Sequence, residues 1–136
     1  MRLTPRARAR DAPTVLIIRK SQEEALAAAR VDDFARRASN LLEDAFPTAT
    51  RALGREALEA RVRQAVERCE ARSIVNETSV YRYLEWTFVL GEGFDDEDGP
   101  YPWAASILDD TSLGEDARLK GLARAAARFT TVAAGT

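Results

Sequence analysis

The stretch NETSVYRYLEWTFVLG, residues 76–91, decides how the chain is organised. Asn76 stands where a helix cap is needed, and a helix is expected from near Glu77 to Leu90. Val80, Tyr83, Leu84, Trp86, Thr87, Phe88, Val89 and Leu90 leave that helix little polar surface. It is therefore expected to lie centrally, touched on several sides. Gly91 supplies the residue just past its end.

Upstream, Ser21-Gln22-Glu23-Glu24 fits the capping-box pattern. The helix it opens carries Ala27, Val31, Phe34, Ala38, Leu41 and Ala45 at alternating spacings of three and four, a single face of a helix. Phe46-Pro47 should end it, since the residue before proline is pushed out of the helical region. A short turn over Thr48 to Leu53 leads through Gly54 to a second helix. Its apolar face is Leu58, Val62, Ala65, Val66 and Cys69, with Glu59 and Arg63 paired on the outside. Downstream of the central segment, a short helix is expected over Ala104 to Leu108. The last helix starts at Ser112 or Gly114 and buries Leu119, Leu122, Ala123, Ala126 and Phe129. The fold class is thus all-α, a bundle of four to five helices. It includes a short N-terminal extended segment or strand at Thr14-Val15-Leu16-Ile17-Ile18. Residues 1–12, with four arginines, read as a basic arm, 13–130 as one domain and 131–136 as a frayed tail.

Composition removes several function classes. The chain has no histidine and a single cysteine, Cys69. Histidine-activated serine or cysteine nucleophiles and imidazole metal sites are therefore absent, and no disulfide can form within the chain. Cys69 lies on an apolar stripe and reads as core filler. A cytoplasmic protein is expected, with no membrane span, because no apolar run approaches ~20 residues. The apolar run Val15 to Ile18 is too short for a secretory leader. Net charge is −2, which argues against a general nucleic-acid binder. Arg61, Arg68 and Arg72 share the second helix with Glu59, Glu67 and Glu70, so that helix reads as a mixed, solvated face.

GEGFDDEDGPYP, residues 91–102, is the most distinctive stretch. It is not a calcium loop. Aligning Gly99 with the sixth position of an EF-hand puts Phe94 at the first ligand and Ala105 at the twelfth, where a bidentate Glu belongs. Neither glycine-rich phosphate-binding pattern occurs, so no cofactor and no metal are expected. The candidate partner-binding residues are Phe94, Asp95, Asp96, Glu97, Asp98, Tyr101 and Trp103. The aromatics offer apolar anchors, and the acids steer toward a basic surface.

The runs YRYLEWTFVLGEGFD (81–95) and YPWAASILDD (101–110), with IRKSQEEAL (18–26) and the Phe46-Pro47 break, resemble a family of small helical bacterial proteins. The family is encoded beside type VI secretion spike and effector genes. The resemblance covers roughly residues 16–126 and implies an accessory or adaptor role with no catalytic residues. The expectation is a non-catalytic protein-binding accessory protein, an adaptor or chaperone for a type VI secretion effector, whose partner is an effector or spike component. The alternatives are an immunity-type inhibitor of a toxin and, from another class, a small DNA-binding regulator.

Overall fold

The computed structural model describes residues 27–135, with side chains as far as Arg128, and every regular element among them is helical. The helices are α1 over 27–45, α2 (Pro47–Leu53), α3 (Arg55–Ala71), α4 (Glu77–Val89), α5 (Pro102–Leu108) and α6 (Glu115–Gly135). The all-α class expected from sequence is therefore the observed one. The arm at 1–12, the extended segment at 14–18 and the capping box at Ser21 lie outside the described residues. No described helix is long and apolar enough to cross a membrane.

The chain divides into two units, Met1–Phe34 and Ala35–Thr136. In the first, residues 27–34 are helical. In the second, α3 packs on both α2 and α4, α4 on α6, and α6 on α5. The central position expected for α4 follows from these contacts. Val80, Tyr83, Leu84 and Thr87 are buried on it, while Val89 stands 59% exposed.

Two readings need correction. Within residues 35–45 of α1 the buried stripe is Ala35, Ala38, Ser39 and Leu42, whereas Leu41 is 55% exposed. A spacing of three and four admits two stripes one residue apart, and the one with the small side chains faces inward. Residues 48–53 are also not a turn but most of α2. Pro47 stops α1 and then occupies the first helical position of α2, where its missing N–H costs nothing. This is why six helices stand where four or five were expected. On α3, Leu58, Val62, Ala65 and Cys69 are buried as read, and burial pushes the Cys69 thiol up to about 12. α6 continues to Gly135, through residues expected to fray.

The helix ends explain how the elements are joined. Asn76 caps α4 by accepting from the Thr78 N–H at 2.9 Å, and its own N–H donates to Glu115 at 2.8 Å. Just past the end of α3, Ser73 takes a left-handed φ of 61°, and the N–H of the fully buried Ile74 donates back to the Cys69 carbonyl at 2.8 Å. Arg118 on α6 is 3% exposed. Its guanidinium donates to the carbonyls of Arg72 at 2.7 Å, Leu108 at 2.9 Å and Leu113 at 3.1 Å. The Arg72 and Leu108 oxygens lie at the C-terminal ends of α3 and α5, where carbonyls lack helical partners and carry partial negative charge, and the Leu113 oxygen lies in the turn before α6. One side chain thus closes two helix ends at once.

Candidate protein-binding surface

The segment between α4 and α5 is shaped by its glycines. Gly91 and Gly93 take φ of 106° and 80°, which turns the chain back toward α3 and α4 as soon as α4 ends. The next two side chains, Phe94 and Asp95, therefore enter the helical body, and both are 1% exposed. The Phe94 ring packs against Tyr83 with centroids 5.6 Å apart.

Asp95 meets a receiving site made by two helices. Arg68 and Arg72, four apart on α3, present their guanidinium groups to one place. Tyr83 brings its hydroxyl from α4. The Tyr83 O–H donates to Asp95 Oδ2 at 2.8 Å, Arg68 Nη2 lies 3.1 Å from the same oxygen, and Arg72 Nη1 also donates to it. A further Arg72 nitrogen donates to the Asp95 backbone carbonyl at 3.2 Å. Both arginines reach outward as well, Arg68 to Asp96 at 2.9 Å and Arg72 to Asp109 at 2.7 Å. Burial alone would raise the Asp95 carboxyl, but donation from Arg72, Tyr83 and Arg68 outweighs it and holds the group below the usual carboxylate range. Burial, followed by the Asp95 charge, pushes the Tyr83 phenol up. Asp95 Oδ1 is buried and accepts no hydrogen bond.

Outside this clasp the surface is acidic. Asp96, Glu97 and Asp98 are exposed, as are Asp109 and Asp110 at the end of α5. Glu97, Pro102, Ala105, Ser106, Asp109 and Asp110 line a hollow of about 430 Å³ that joins the two acidic groups. Tyr101 and Trp103 are half-buried and meet edge to face, with ring centroids 5.7 Å apart. Of the residues expected to contact a partner, then, Phe94 and Asp95 belong to the interior. Asp96, Glu97 and Asp98 form the rim, and Tyr101 and Trp103 are partly available.

Of the arginines read as a solvated face, Arg61 and Arg72 are instead half-buried ties, while Arg68 makes its ties from an exposed position. Arg61 donates to the Thr87 carbonyl at 2.6 Å and lies over the Phe88 ring, 4.1 Å from its centroid. Burial lowers its pKa. Their spacing at 61, 68 and 72 is visible in the sequence, but their carboxylate and carbonyl partners lie 23 to 37 residues away. Asp109, at the far end of the tie, was likewise not singled out as a partner of Arg72. Among the described residues no group of three or more metal-ligating side chains comes together. Compared with family models, curated proteins and solved structures, the chain matches none.

Proposed function

We propose that the chain is a non-catalytic accessory protein that binds a basic surface on another protein. The contact surface comprises the rim Asp96, Glu97 and Asp98, the hollow beside it, and Asp109 and Asp110. The observation behind this reading is the division of labour in one acidic run. Asp95 fastens the backbone from inside, so Glu97 and Asp98 are held outward on a fixed loop beside Asp96, whose half-exposed carboxylate accepts from Arg68. Exposed carboxylates on a preorganised loop lose little entropy on docking and attract a basic partner over about a Debye length. Tyr101 and Trp103 add apolar area at the edge.

The particular version, an adaptor or chaperone for a type VI secretion effector, rests on the sequence resemblance. Affinity capture from the native organism, with neighbouring gene products as candidates, would supply the partner. Calorimetry and stopped-flow binding would then compare the wild type with the combined variant Asp96→Asn, Glu97→Gln, Asp98→Asn. Association should slow on the order of tenfold at low salt and lose most of its salt dependence. Tyr101→Ala should weaken binding further. Unchanged rate and affinity in both variants would remove this surface from consideration.

A further inference from the structure

Residues 91–101 are held by a few short turns of their own and by two buried side chains. Their turns close on themselves. The Phe94 N–H donates to the Gly91 carbonyl at 3.1 Å, Asp96 to Gly93 at 3.1 Å, and Gly99 to Asp96 at 3.0 Å. At Gly91 an added Cβ would meet open space, so the chain has room to swing there as well as the backbone freedom to do it. The side chains of this strap that are buried in the body are Phe94 and Asp95.

We infer that residues 91–101 form a latched strap, with the Asp95 carboxylate on Arg68, Arg72 and Tyr83 as the latch, which opens locally while the helices stay folded. What makes separate opening feasible is that the receiving arginines are not stranded. Arg72 keeps Asp109 at 2.7 Å, and the Arg68 side chain is already 44% exposed to water. The other ionisable groups near the latch are the Cys69 thiol of α3, which stays neutral because burial raises it, and Asp96, which rides on the strap. Opening uncovers the Phe94 and Tyr83 rings and withdraws the acidic rim. The strap would thus decide when the surface is presented, a consequence that rests on the binding reading above.

Native-state hydrogen exchange of the whole chain tests the latch without any partner. Asp95→Asn keeps the side-chain shape and removes the charge. The amides of Phe94, Asp96 and Gly99 should exchange on the order of 10- to 100-fold faster in the variant, through an opening whose urea dependence stays well below that of the most protected amides of α3, α4 and α6. Equal strap exchange in both proteins, or strap exchange that rises with urea as steeply as that of the helices, would overturn the proposal. If the variant fails to fold, the wild type in sub-denaturing urea decides. Strap amides whose exchange depends less on urea than helix amides support local opening, and a common dependence refutes it. Because binding is not the readout, the latch can fail while the binding surface survives, and rim variants can fail while the latch survives.

Discussion

Asp95 and Arg118 are both ionic side chains with almost no exposure, and the molecule answers them differently. Asp95 sits between two guanidinium groups and a phenol, so its tie works only while the carboxyl is ionised. Arg118 is met by backbone carbonyls, two at the ends of α3 and α5 and one, that of Leu113, in the turn before α6. Those oxygens cannot titrate, and a guanidinium stays charged at any ordinary pH. One tie is conditional and holds a loop. The other is unconditional and joins helices. Charge in an interior can therefore serve as a switch or as a rivet, depending on whether any member of the tie can take up a proton.

The largest effect should come from the rivet. Arg118→Met fills similar space but leaves the carbonyls of Arg72, Leu108 and Leu113 without their donor. A loss of about 3 kcal/mol is expected in urea unfolding, the same at pH 5 and pH 7. A loss that varied with pH across that range would break the contrast. Asp95→Asn, which keeps a polar side chain there but loses the charge-assisted hydrogen bonds, comes next at about 2 kcal/mol near neutrality. Its native carboxyl is held below the ordinary value of about 3.9, so the stabilisation is present above that value. It is lost as pH falls through the lower native value. Wild type and variant should therefore converge in acid, and parallel stability curves down to pH 2 would show that the charge is not what holds the loop. The smallest effect concerns neither charge. Ser73→Gly, at a left-handed φ of 61°, should raise stability by roughly 0.5 to 1 kcal/mol. A loss there would mean that the serine side chain contributes something its backbone geometry does not reveal.

Much of the helical body was legible because periodicity reports burial directly. Leu58, Val62, Ala65 and Cys69 are read and found on one face of α3, and Asn76 caps α4 as its side chain suggests. The inner face of α1 is misread beyond Ala38 because Leu41 and Leu42 are neighbours that both fit a spacing of three or four, and periodicity alone does not choose between them. The site was harder for a different reason. In sequence, Asp95 to Asp98 form one undifferentiated acidic run. Which member turns inward is set by the backbone angles of Gly91 and Gly93 and by Arg68 and Arg72, 23 residues or more upstream. Composition marks such a run as solvated, and only the tertiary encounter picks Asp95 out of it.

The edge-to-face pair of Tyr101 and Trp103 has an optical consequence. The chain has two tryptophans, one at the foot of the strap and the other, Trp86, in the groove between α4 and α6. Trp86→Phe would leave Trp103 as the sole long-wavelength emitter, with Tyr101 close enough to transfer excitation to it. Movement at the loop's C-terminal end would then register as a change in that transfer, in the unlabelled protein and in real time.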